Sequence, residues 1–202
     1  MPTADFFSRL GLFVVRDFFD DATCSRLRAA VRAGEETRAT VYDGSEARKL
    51  APETRRTVRA HVAADVLTFV TDRINAARPA IAEHFGTTLT ACQEPTFLVY
   101  RAGDFFAAHA DAGDDPDEPP GIRARKVSVV IFLSGESARA DEQSYTGGSL
   151  VFYDLLTSSQ LGSRGLPLIG EPGLLVAFRP ELVHRVNAVG SGERQTIVTW
   201  FV

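Results

Sequence analysis

From Phe97 onward the chain consists of short apolar segments, each cut off within a few residues, and this punctuation limits the fold more than any other feature. Phe97-Leu98-Val99-Tyr100, Lys126 to Leu133, Ser149 to Tyr153, Leu174 to Phe178, His184 to Ala188 and Thr196 to Val202 are rich in Val, Ile, Phe and Tyr. Gly, Pro, Asp and Ser clusters separate them. β-Branched and aromatic side chains pack well on a pleated surface, and the separators supply turn geometry, so these segments are expected to be strands. Short strands at regular spacing predict a sandwich, jelly roll or barrel. The proline-rich, acidic stretch Asp111 to Gly121 fits neither a central strand nor a helix and is expected to be an exposed loop, as is Ser134 to Thr146.

The first ninety residues have a different character. Leu12 to Val15 reads as a strand, and Asp20 to Thr23 offers capping oxygens for a helix over Cys24 to Ala33. That helix has an apolar stripe at Leu27, Ala30 and Val31 and a stop at Gly34. Ala39 to Pro52 reads as a loop or short strand. Val58, Val62, Val66, Phe69 and Val70 recur at helical spacing and predict a helix from about Pro52 to Arg73. A further helix is expected from Ile74 to His84, stopping at Gly86. The expectation is one α+β domain over 1–202, with 1–90 mainly helical support and 91–202 a β core.

Composition narrows the function classes. A net charge of −4, with basic and acidic residues mixed, argues against a nucleic-acid backbone binder. No apolar run approaches the roughly 18 to 20 residues that a membrane-spanning helix needs. Met1 to Val15 lacks the pattern of a secretory leader. Cys24 and Cys92 stand far apart without a CxxC spacing, as free thiols do. The expected setting is the cytoplasm, with neither nucleic acid nor membrane as partner; no feature bears on oligomeric state.

The chemistry centres on His109-Ala110-Asp111. In an extended segment, residues two apart point to the same face, so imidazole and carboxylate can converge on one ion. That ligand pair suits Fe(II), Mn or Zn. His184, in a strand-bend-strand region with Pro180, is the candidate third ligand. Two histidines and one carboxylate leave coordination positions open, as in non-haem Fe(II) oxygenases, where a 2-oxo acid and O2 occupy them. A structural zinc would close its shell with a fourth ligand, and His61 and His84 fall in the part expected to be helical. Arg194 follows His184 across the turn-like Val189 to Glu193. An antiparallel hairpin of 184–188 with 194–199 would put His184, Val186, Arg194, Thr196 and Val198 on one face. A buried guanidinium needs an anion, and its fork suits a carboxylate such as the 5-carboxylate of 2-oxoglutarate. Two other classes stay open on the residues alone: a non-catalytic 2-oxoglutarate or metal sensor, and a redox-inert cupin-type metalloenzyme.

Taken together, Leu98 through Asp111, Gly147-Gly148-Ser149-Leu150, His184 through Arg194 and Thr199-Trp200-Phe201 resemble the prolyl 4-hydroxylase-like group of 2-oxoglutarate and Fe(II)-dependent oxygenases. The resemblance implies a double-stranded β-helix, or jelly roll, with the N-terminal helices packed on one sheet. It implies His109, Asp111 and His184 as iron ligands, Arg194 on the 2-oxoglutarate 5-carboxylate, and Tyr100 and Thr196 as further cosubstrate contacts. It implies hydroxylation with Fe(II), 2-oxoglutarate and O2, with ascorbate as the candidate reductant and succinate and CO2 as products. The substrate classes are a prolyl or other peptide residue, an amino acid, or a small metabolite. Asp111 also argues against the halogenating relatives, which lack this carboxylate. Gly147-Gly148-Ser149-Leu150 departs from prolyl hydroxylases in having no acidic residue after the paired glycines, and is expected to be a tight turn before a strand.

Overall fold

Asp20 begins the first long helix by accepting a 2.7 Å hydrogen bond from the Thr23 amide, as the sequence predicts for a capping carboxylate. The computed structural model describes residues 4–40, 50–113, 118–155 and 165–202. In chain order the first elements are α1 (Ala4–Arg9), β1 (Phe13–Val15), α2 (Asp21–Ala33), β2 (Glu35–Arg38), β3 (Arg55–Arg56), β4 (Val58–His61) and α3 (Ala64–Phe85). There follow β5 (Thr96–Tyr100), β6 (Phe105–His109), α4 (Pro120–Arg123), β7 (Val127–Phe132), β8 (Gly135–Glu136), β9 (Ser144–Gly147) and β10 (Leu150–Phe152). The last are β11 (Leu166–Leu168), β12 (Leu175–Phe178), β13 (His184–Val186), β14 (Val189–Gly192) and β15 (Arg194–Phe201).

The strands form two facing sheets, the jelly-roll arrangement that the resemblance implies. The major sheet has the order β1-β12-β7-β15-β5-β4-β2, and the minor sheet β11-β10-β13-β6-β3. A small third sheet has the order β14-β9-β8. β15 is central in the major sheet and alternates cleanly. Ile197 and Phe201 join the core beneath the helices, while Thr196, Val198 and Trp200 line a cavity between the sheets. The helices cover the other side of the major sheet. Leu27 and Val31 of α2 and Val70, Ile74, Ile81 and Phe85 of α3 pack there with Val99, Val129, Ile131 and Leu175. Each fully buried Ile, Val or Phe contributes roughly 1.5–3 kcal/mol, so this layer is a main source of rigidity for the strands beneath it.

The N-terminal part is less helical than expected. Residues 55–61 form strands, and only from Ala64 does the helix run, without the expected break near Arg73, to Phe85. β4 pairs with β2 on one side and β5 on the other, with Val58 opposite Val99. The valine spacing that imitates a helix loses to that ladder. His61 consequently sits on a strand, hydrogen-bonded to Thr37, not on a helix. Gly86 ends α3 in the left-handed conformation at φ 60°, as expected of a helix-stopping glycine. The Ser134 to Thr146 stretch contains β8 and part of β9, and the acidic stretch ends in α4, where Pro120 needs no partner for an amide hydrogen it lacks. Residues 41–49 of the expected Ala39 to Pro52 loop and 114–117 of the acidic loop lie outside the described residues. Among the described residues no helix is long and apolar enough to cross a membrane.

Candidate active site

His109 ends β6 and His184 begins β13, and the two are direct partners in the minor sheet. Two steps along β13, Val186 faces Phe106, three residues before His109. This mismatch is a β-bulge, and it allows both Phe106 and His109 to line the cavity, where regular alternation would send one outward. The Nδ1 of His109 lies 2.9 Å from the Ala107 carbonyl, and that of His184 lies 2.9 Å from the Leu182 carbonyl. A carbonyl only accepts, so each Nδ1 carries the proton and each Nε2 presents a lone pair.

Those lone pairs face Asp111. Its Oδ1 is 3.7 Å from His109 Nε2 and its Oδ2 is 3.8 Å from His184 Nε2. One ligating atom from each residue falls within 4.8 Å of the others. The Asp111 amide donates to the Pro180 carbonyl at 2.8 Å, tying the HxD segment to the bend that precedes His184. Ser128 donates to Asp111 Oδ2 at 2.7 Å, and Arg125 Nη1 donates to the Asp111 carbonyl at 2.8 Å. His109 stacks on Phe106 with centroids 3.6 Å apart, and His184 meets Phe178 edge-on.

The charge states suit metal binding. Burial and then the neighbouring His184 push His109 below the ordinary histidine range, so its imidazole is neutral at pH 7. Burial alone would raise Asp111, but the facing His184 and His109, with the hydrogen bond from Ser128, outweigh it and hold the carboxyl below its usual value. A neutral imidazole and an ionised carboxylate are the forms that ligate a cation.

Arg194 lies on the opposite sheet. It is 1% exposed, donates through Nη1 to Thr196 Oγ1 at 3.3 Å, and packs against the Tyr100 and Phe132 rings, each centroid 5.1 Å from the guanidinium carbon. Its Nε is buried without a partner, and it makes no ion pair among the described residues. A buried, unpaired charge is costly, so the position calls for an anion. Tyr100, directly opposite Arg194 in the β15–β5 ladder, lines the cavity with Arg194 and Thr196. The expected hairpin is absent: β13 pairs with β10 and β6, while β15 pairs with β5 and β7. His184 and Arg194 therefore meet across the cavity from two sheets, because Val189–Gly192 is itself a strand leading from one sheet to the other. The cavity holds about 500 Å³, a size that takes more than one small molecule.

Gly147 and Gly148 form the expected turn, with φ of 66° and 67°, and do something further. A Cβ on Gly148 would meet Val189, the Tyr145 ring and Cδ of Arg194 within 2.9–3.2 Å, so the glycine leaves space for the arginine. Tyr145 and the Asp111 partner Ser128 were not apparent from sequence. Burial pushes the Tyr145 hydroxyl up to about 12 against the pull of Arg194, leaving it a protonated donor. Arg55 and Arg125 also line the cavity, and neither stands in a motif. Ser128 could have been found by extending the inward alternation of β7, since Val130 shares its face.

Residues 95–202 match the family model described as the 2OG-Fe(II) oxygenase superfamily. The chain belongs to this superfamily. Among curated superfamily relatives it is 31% identical over 108 residues to a PKHD-type hydroxylase of a Psychrobacter species, and 33% identical over 107 residues to one of Gluconacetobacter diazotrophicus. Each match takes in 52% of this chain but only 36% and 41% of the relative, so the chain spans well under half of the curated relatives' length. A prolyl-4-hydroxylase of Pseudomonas putida has the same fold, with a TM-score of 0.69 at 22% identity over 98% of this chain and 95% of that one. So does a Trichoplax adhaerens prolyl hydroxylase solved with a hypoxia inducible factor peptide, with a TM-score of 0.72 at 14% identity over 98% and 86%. The residues present fit both groups in the superfamily's name: a two-histidine, one-carboxylate set suits Fe(II), and the orphaned Arg194 Nε suits a carboxylate.

Proposed function

We propose that this chain is a 2-oxoglutarate- and Fe(II)-dependent dioxygenase that hydroxylates an unactivated C–H bond. Substrate R–H, 2-oxoglutarate and O2 become R–OH, succinate and CO2, with ascorbate as reductant for iron oxidised in unproductive cycles. The observation that carries this is the meeting of the His109, Asp111 and His184 donor atoms within 4.8 Å, across one cavity from a buried arginine whose Nε has no partner among the described residues. Fe(II) held by these three residues and chelated by 2-oxoglutarate would supply the oxidising power for C–H cleavage. The protein's part is positional. The Ala107 and Leu182 carbonyls fix the imidazole tautomers, Ser128 orients Asp111, and Arg194 with Thr196 and Tyr100 anchors the cosubstrate's 5-carboxylate. Leu98, Val130, Leu150, Val186 and Val198 give the cavity an apolar wall that limits water and side reactions. With Asp111 in place as a ligand, halide has no position to take, which favours hydroxylation. The oxidised molecule is a prolyl or other peptide residue, an amino acid or a small metabolite. Two free cysteines support a reducing compartment, the cytoplasm.

The decisive test uses metal-stripped protein reconstituted with Fe(II). His184→Ala is expected to abolish succinate release, and Arg194→Ala to raise the 2-oxoglutarate requirement. Zinc should support cosubstrate binding without turnover. Succinate release by His184→Ala equal to the parent protein would overturn the proposal.

A further inference from the structure

One cationic group in the cavity has no role in the chemistry described so far. Arg55 lies directly opposite Phe106 in the β3–β6 ladder, and residues so paired share a face. Both line the cavity. The Arg55 guanidinium carbon sits 4.5 Å from the Phe106 ring centroid, and the same ring stacks on His109.

The hydrogen bonds of Arg55 leave one edge unpaired. Nη1 donates to the Thr40 carbonyl at 3.2 Å. Nε is buried with no partner, and no carboxylate pairs with the side chain among the described residues, although Glu53 and Glu118 line the same cavity. Nε–H and the neighbouring Nη2–H point the same way and match the two oxygens of a carboxylate. The other cavity arginines are engaged. Arg194 faces the cosubstrate position, and Arg125 holds the Asp111 carbonyl and stacks on Trp200 at 3.6 Å. The cavity thus has two poles that call for anions, one on each sheet, and 2-oxoglutarate satisfies only the one at Arg194.

We propose that Arg55 binds a carboxylate of the molecule being oxidised, which makes the substrate an acid and not a neutral peptidyl residue. This rests on the dioxygenase reading above. A residue inside a peptide presents amides on both sides and would leave the Arg55 edge without a charged acceptor. A free amino acid, a short carboxylic acid or an acidic side chain supplies one.

Trp200 is the single tryptophan of the chain and lines the cavity, so its fluorescence reports occupancy without turnover. With Mn(II) and 2-oxoglutarate present, the probes are N-acetyl amino acids against their primary amides, and short peptides carrying Asp or Glu against the same peptides with Asn or Gln. The first set stands for free acids and the second for acidic side chains. The parent protein should bind the acid of at least one pair about tenfold or more tightly than its amide. Arg55→Gln should bring the acid down to the level of the amide, and Arg55→Lys, which keeps the charge but not the fork, should fall between. Acid and amide are compared on one sample, so a poorly folded variant would weaken both, not the acid alone. The proposal is overturned if no acid outbinds its amide in the parent protein, or if Arg55→Gln keeps the preference. Absence of any 2-oxoglutarate binding or consumption would instead strike the dioxygenase reading, and the acid preference is scored separately from it.

Discussion

Asp111 depends on its neighbours more than either histidine does. Each imidazole is fixed by the carbonyl two residues before it, whereas the carboxylate is aimed by Ser128 from β7 and the Asp111 main chain is held by Pro180 and Arg125. Removing a group that orients a metal ligand typically lowers metal affinity about 10- to 100-fold. Ser128→Ala is therefore expected to weaken Fe(II) or Mn(II) binding by a factor in that range, with Ser128→Thr restoring most of it. Metal titration followed by calorimetry measures both, and an unchanged affinity in Ser128→Ala would show that the hydrogen bond does not orient the ligand.

Among the elements, the Gly147-Gly148 turn and β15 shape the Arg194 end of the cavity together. An alanine at 148 would be strained at φ 67° and would press on Arg194 Cδ at 3.2 Å. Gly148→Ala is expected to cost about 1 kcal/mol or more of stability and to weaken 2-oxoglutarate binding. Denaturant unfolding and a cosubstrate titration test the two halves independently. Much of this level was legible in the sequence: the alternation of β15, the Asp20 cap, the Gly86 stop and the order His109, Asp111, His184, Arg194 all rest on local patterns. Pairing was less legible. Val189 to Glu193 has the composition of a hairpin turn, yet Val189–Gly192 pairs with β9 and carries the chain between sheets. Val58, Val62 and Val66 satisfy a helical period, but only Val66 lies in α3, while Val58 is taken into a ladder contributed from distant residues. Arg55 gains its place only through a two-residue strand, and nothing in its own neighbourhood announces that.

At the scale of the whole molecule, charge fastens the helical layer to the strands. Glu193 joins Arg32 of α2 at 3.2 Å and Arg101 beyond β5 at 3.0 Å, and Arg101 also holds Glu36 of β2. Burial alone would raise Glu193, but the Arg32 hydrogen bond and the Arg101 charge outweigh it and lower it in the folded chain. Its stabilising effect is thus present above the unfolded carboxyl value of about 4.3 and is lost as pH falls through the lower folded value. Glu193→Gln should lower the melting temperature near neutrality and flatten its decline below about pH 4; an acid limb identical to that of the parent would remove Glu193 from the account. The two facing sheets divide the proposed site, with the histidines on one and Arg194 on the other. Sheets stack about 10 Å apart, and that interval works as a caliper. On the proposed binding mode, oxaloacetate, one carbon short, leaves the guanidinium out of reach of its distal oxygens. 2-Oxoadipate, one carbon long, has to buckle. If the proposed binding mode holds, the architecture of the sandwich, beyond any single contact, would favour the five-carbon diacid.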